Sequence, residues 1–85
     1  ADAVGRRLVR LSKNAQVLIV THSPQVAALG DAHFQVVKSI NSKNTLTEVT
    51  KLQGDAKIEE IARMISGDKI TPAAINAAAT LVDGR

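Results

Sequence analysis

Four consecutive apolar residues, Val17-Leu18-Ile19-Val20, run straight into Thr21-His22-Ser23-Pro24, and this junction constrains the fold more than any other stretch. A run this short, apolar throughout and without alternation, is the pattern of a strand covered on both faces, as in the parallel sheets of α/β proteins. Ser23 then supplies an N-cap whose hydroxyl can accept a bond from an orphan backbone N–H. Pro24 suits the first helical position, where its missing N–H costs nothing. The sequence therefore predicts a strand over 17–20 that feeds a short helix, with Val26, Ala27 and Leu29 as apolar surface and Gly30 as its stop.

The flanking sequence extends the same alternation of helix and strand. Residues 1–14 read as a helix in which Val4, Leu8, Leu11 and Ala15 form one apolar stripe, with Asn14 as a stop. Residues 32–40 and 46–52 read as two strands across the polar, turn-prone Asn41-Ser42-Lys43-Asn44, most economically an antiparallel hairpin. His33 falls in the first of them and reads as a solvent-facing or edge residue. A further helix is expected from Asp55 as N-cap to Gly67, with Ile58, Ile61, Ala62 and Ile65 as its buried stripe and Arg63 as a surface ion-pair residue. Thr71-Pro72 opens a last helix whose buried face is Ile75, Ala78, Ala79 and Val82. The predicted order is helix, strand, helix, two strands, two helices: an α/β arrangement with one buried strand, a β-hairpin and flanking helices.

Composition narrows the classes. A unit of 85 residues buries only roughly 60% of the surface its unfolded chain exposes. With a single aromatic residue, Phe34, its core must come from Val, Ile, Leu and Ala. The absence of cysteine excludes disulfides, thiolate catalysis and cysteine zinc sites, and fits a reducing compartment. No apolar run approaches the ~20 residues of a membrane span, and the polar N-terminus lacks a signal-peptide pattern. The chain begins with Ala1, inside a running helix, which is the expectation for a piece of something longer. A net charge of +3 is compatible with an anionic partner. Arg6, Arg7, Arg10 and Lys13, largely off the apolar stripe of the first helix, are the candidates for sequence-independent contacts to DNA phosphates, against the plainer reading of a solubilising face.

One residue stands out for chemistry. His22 follows the apolar run and precedes a helix N-terminus, the place where open α/β sheets bind ligands and where free N–H groups favour anions. A histidine there can hydrogen-bond a phosphate or orient a water; equally, it can simply satisfy a backbone carbonyl. Ser23 beside it lacks the G-x-S-x-G context of a nucleophile. His22 and His33 lack the i, i+4 spacing of a helical metal pair, so no metal ligands are assigned. There is no G-x-x-x-x-G-K-[ST] loop to cradle phosphates, and no acidic residue follows an apolar strand to hold magnesium or activate water.

The run from Val17 to Ala28, Val-Leu-Ile-Val-Thr-His-Ser-Pro-Gln-Val-Ala-Ala, resembles the switch-histidine loop of the RecN family, ABC ATPases related to SMC proteins. The strand-histidine pattern is shared across the ABC superfamily, and the continuation Pro24-Gln25-Val26-Ala27-Ala28 is narrower. Downstream, Glu60-Ile61-Ala62-Arg63-Met64-Ile65-Ser66-Gly67 and then Ile70-Thr71 resemble the closing segment of the same family. With the opening helix, the resemblance covers nearly the whole chain. Lys57, where arginine is expected, and Ala77-Ala78-Ala79, where the family is more polar, depart from the pattern.

The resemblance implies that residues 1–85 are the C-terminal part of one ABC/SMC-type P-loop ATPase head, with the Walker A, signature and Walker B motifs outside them. It implies His22 as the switch histidine, in contact with the γ-phosphate and helping to place the attacking water. It further implies ATP and Mg²⁺ in a full-length parent and catalytic silence in this piece alone. The implied partners are the N-terminal part of the same head, a second head in a homodimer, and DNA, in a cytoplasmic, nucleoid-associated setting of double-strand-break repair and recombination. The alternative is a stand-alone basic module for DNA or protein binding, without ATPase chemistry.

Overall fold

The computed structural model describes residues 2–84, apart from the side chain of Asp2. Ala1, the expected opening of the first helix, lies outside the described residues. The elements run α1 (Asp2–Ser12), α2 (Pro24–Ala28), β1 (His33–Ile40), β2 (Thr45–Leu52), α3 (Asp55–Ser66) and α4 (Pro72–Asp83). The chain is mixed helix and strand, as the sequence predicts.

The hairpin forms because the loop between the strands closes on itself. Asn41 Oδ1 accepts from the backbone N–H groups of Lys43 at 3.1 Å and Asn44 at 2.7 Å. The Asn41 N–H in turn donates to Asn44 O at 2.9 Å, so a side chain and a backbone bond together set the turn. Antiparallel register pairs His33 with Leu52, Val36 with Val49 and Ile40 with Thr45. Because side chains alternate across the sheet, His33, Gln35 and Leu52 share the face toward α3, where Gln35 donates to the Glu60 carboxylate. Phe34, Val36, Ile40 and Val49, with Lys38 and Lys51, share the other face, and its apolar members are exposed.

Helices α3 and α4 hold the core. Ile61, Ala62 and Ala78 are fully buried, Ala74 and Ala28 nearly so, with Ile58, Ile75, Leu81 and Val82 packed around them. Alanine on α4 and α2 lets their backbones approach α3 closely, and Ile61 is the one large side chain fully enclosed among the described residues. Thr71 caps α4 as predicted, accepting from Ala74 N at 3.1 Å. Gly67 ends α3 at φ 81, ψ −151, a region that side-chain-bearing residues avoid.

Several expectations are corrected. Residues 17–20 form no strand: the sheet of the described residues holds only β1 and β2. Leu18 and Val20 are 86% and 97% exposed. A strand exists only with neighbours, and within these residues β1 and β2 use each other, leaving the apolar run without one. The N-cap of α3 is Gly54, at φ 58, rather than Asp55, which already lies in the first turn. Ile65 is half-exposed because nothing packs over the last turn of α3. α1 ends at Ser12, so Ala15 of the expected stripe falls beyond it, and Val4 and Leu11 of that stripe are exposed. That helix touches α2 through Gly5, where an added Cβ would lie 2.4 Å from Leu29 Cδ1. Lys57 is buried, and so is Ala78, on the face of α4 expected to be.

The radius of gyration, 14.1 Å, exceeds the roughly 12 Å of a compact domain this long. The small alanine core and the projecting hairpin and α1 account for the excess.

Candidate functional site

The segment carrying His22 is built from a short series of local bonds. Thr21 Oγ1 accepts from the Ser23 N–H at 2.9 Å, and Ser23 Oγ accepts from the Val26 N–H at 3.3 Å. The Ser23 backbone is extended, at φ −88 and ψ 120, and Pro24 follows at the first turn. The predicted cap is therefore present in full. Between two residues that are each bonded, His22 is exposed, so its ring is available from solvent and is not committed to the core.

The other candidates sit elsewhere. Arg6, Arg7, Arg10 and Lys13 are all exposed. Arg6 and Arg10, four residues apart, lie on one side of α1 and Lys13 lies just past its end, while Arg7 shares the hollow lined by Ala3, Val4, Leu8 and Leu11. The four do not converge on a point, as a binding pocket would need. Arg63 lies at the surface of α3 and pairs with Glu60, as expected.

A polar layer beneath the hairpin escaped the sequence reading. Glu60 is buried and receives bonds from Gln35 and Arg63. Lys57, 8% exposed, donates from Nζ to Gly30 O at 2.9 Å. Both sit on α3 one turn apart, so a polar edge runs beside the Ile58–Ile61 stripe. Only the i, i+3 spacing of two charged residues next to that stripe hinted at it. His33, read as a solvent-facing or edge residue, stands at the start of β1 in the two-stranded sheet and is half-buried above this layer, its Nδ1 enclosed with no hydrogen-bond partner among the described residues.

Burial lowers the His33 pKa from its usual value; Glu60 acts in the opposite direction and Lys57 in the same one. The neutral ring is thus the form the fold favours, and the unfolded chain binds the proton more readily. Stability from this group is present above the ordinary histidine pKa of ~6.5 and is lost as pH falls through the lower folded value. Denaturation midpoints measured at about pH 7.5 and about pH 5.5 should fall further for the natural chain than for His33→Gln. Equal falls would mean that His33 contributes nothing to the pH dependence.

Comparison with known proteins bears on this geometry. No family model matches the chain. It is 45% identical over 82 residues, 96% of its length, to the DNA repair protein RecN of Rickettsia conorii. It is 43% identical over 84 residues, 99% of its length, to the RecN of Deinococcus radiodurans. The chain belongs to the RecN family. RecN of Bacillus subtilis is 39% identical over 71 residues, 84% of the chain. The chain spans about 15% of the length of the Rickettsia and Deinococcus RecN proteins and 12% of the Bacillus one. The Deinococcus match covers all but one residue of the chain, and so takes in both segments that carry the sequence resemblance, the His22 loop and the Glu60–Gly67 helix end.

Proposed function

We propose that these residues are the C-terminal part of an ABC/SMC-type ATPase head in a RecN protein of DNA double-strand-break repair and recombination, and that His22 is its switch histidine. The observation that carries this reading is the exposed His22 ring, placed between two bonded residues at the head of a capped helix, in a chain of RecN sequence. The name its relatives share, DNA repair protein RecN, supports the process.

ATP and Mg²⁺ fit the residues present only in part. His22 is exposed and can meet a phosphate oxygen. Among the described residues no group of three or more His, Asp or Glu side chains could hold a metal ion, and the phosphate-cradling loop is not in the sequence. Metal and most phosphate contacts would then come from the N-terminal part of the same head. When bound, the nucleotide supplies the γ-phosphate that water attacks. The imidazole of His22 donates to a γ-phosphate oxygen or accepts from the water, and its work is orientation and charge stabilisation.

The same reading gives the uncovered apolar surfaces a partner. Residues 17–20 become a strand between neighbours supplied by the N-terminal part of the head, covering Leu18 and Val20. The outer hairpin face around Phe34, Val36 and Val49 meets that part too. A second head in a homodimer closes over the nucleotide, and the cycle acts on DNA in the cytoplasm, at the nucleoid. No helix among the described residues is long and apolar enough to cross a membrane.

The test is ATP hydrolysis by this chain alone and mixed with a separately expressed N-terminal remainder of the parent. The expected result is silence alone and turnover in the mixture. Turnover by the chain alone would overturn the division of the site.

The exposed charges of Arg6 and Arg10 on α1 and of Lys13 just past its end favour a second reading, a basic module that binds DNA directly. Changing all three to alanine should then weaken duplex binding alike for all sequences. The salt dependence of log K should become shallower by about 0.9 for each phosphate no longer neutralised. Unaltered affinity and slope would leave these residues as solubilising charge.

A further inference from the structure

A run of hydrogen bonds leads from the buried polar edge of α3 to the residues on either side of His22. Lys57 Nζ donates to Gly30 O at 2.9 Å. Gly30 N–H donates to Ala27 O at 3.2 Å, Ala27 N–H to Ser23 O at 2.9 Å, and Ser23 N–H to Thr21 Oγ1 at 2.9 Å. The last three links join residues of one short segment, so Thr21 to Gly30 moves largely as a unit, and its distal end is the one that Lys57 grips. We infer that Lys57 is a positioning residue for His22, holding the helix that presents the imidazole at a fixed height and angle against α3. This rests on the reading of His22 as the switch histidine and adds to it the group that holds it in register.

Three observations favour positioning over plain packing. Lys57 is 8% exposed, and burying an ammonium is costly unless its donors are used, so a lysine here needs a polar reason. Its acceptor is the carbonyl of Gly30, just past the end of α2, a residue whose own N–H closes the last turn on Ala27 O. And α2, at five residues, is too short to hold its own direction. Its other anchors are apolar: Ala28 buried in the α3–α4 core and Leu29 against Gly5. Those contacts are non-directional, whereas the bond from Lys57 to Gly30 O is directed and fixes the end of the segment against α3. A shift of His22 by a fraction of an ångström to an ångström is the size of error that lowers turnover without abolishing substrate binding.

The experiment uses the full-length protein carrying Lys57→Met, which keeps length and apolar bulk but has no donor, and Lys57→Arg, which restores one. Amide exchange by mass spectrometry and steady-state ATP hydrolysis are measured side by side, with His22→Ala as the reference. In Lys57→Met, peptides covering 21–30 should exchange at least about tenfold faster, while α4 peptides change less than about twofold. kcat should fall roughly tenfold, with KM for ATP within about twofold. Lys57→Arg should return both to within about threefold of the natural protein.

Equal loss of protection in 21–30 and in α4 would make Lys57 a general core residue and overturn the proposal. Unchanged kcat in Lys57→Met beside an inactive His22→Ala would overturn it alone, leaving the site reading intact. Unchanged turnover in His22→Ala would overturn both.

Discussion

Replacing His22 by alanine in the full-length protein is expected to lower ATP turnover by about 10²-fold or more, the range of groups that move or orient a proton in the transition state. Nucleotide affinity should change far less, because in the proposed head most phosphate contacts come from residues outside this chain. The fold should be unaffected. The His22 side chain is exposed, and the bonds that shape its loop run through Thr21, Ser23 and Val26. Paired measurements of steady-state hydrolysis and equilibrium ATP binding check this. Loss of kcat with retained binding supports a role at the γ-phosphate. Retained kcat removes His22 from the chemistry, and loss of binding alone would make it a ground-state contact.

Ile61→Ala is the second large effect. Ile61 is fully enclosed between α3, α4 and α2 in a core whose other buried members are alanines. Those backbones are already close, so the surroundings can collapse little, and the cavity should cost about 2–5 kcal/mol. That is a large part of the total for a domain of this size. Ile65→Ala, one turn further along the same stripe, should cost under about 1 kcal/mol in this chain, since Ile65 is 40% exposed. Denaturant midpoints of the two variants give the comparison. Similar losses for both would mean that the α3–α4 core is not where stability resides. If the loss at Ile65 rises in the full-length protein, another part of that protein covers the end of α3.

Several features were readable from residue chemistry alone. Ser23-Pro24 and Thr71-Pro72 announced two helix starts, and both hydroxyls cap where expected, because a cap is a bond over three residues and needs no distant partner. The Asn41–Asn44 turn was legible for the same reason, since its acceptor and donors lie within four residues. Asp55 misled because Gly54, with its positive φ, takes the cap position one residue earlier. At the site, the position of His22 before the Ser23 cap followed from sequence. The bond from Lys57 did not, because its partner Gly30 is 27 residues away and a lysine on a helix is ordinarily solvated. The half-burial of His33 was missed for a similar reason: strand alternation gives two faces but not which of them meets a helix.

The sequence by itself determined the helices, the hairpin and its turn, the Ser23 and Thr71 caps, the RecN resemblance and the place of His22 before its cap, all of which rest on interactions within a few residues or on direct identity of residues. Tertiary structure alone decided which stripes are covered. Ile61 is buried and Ile65 is not, Lys57 turns inward, and the apolar run 17–20 is left without neighbours. Apolar periodicity states that a face seeks burial; whether it finds it depends on what else occupies the space. In this chain the core on α3 and α4 finds its partners among the described residues, and residues 17–20 do not.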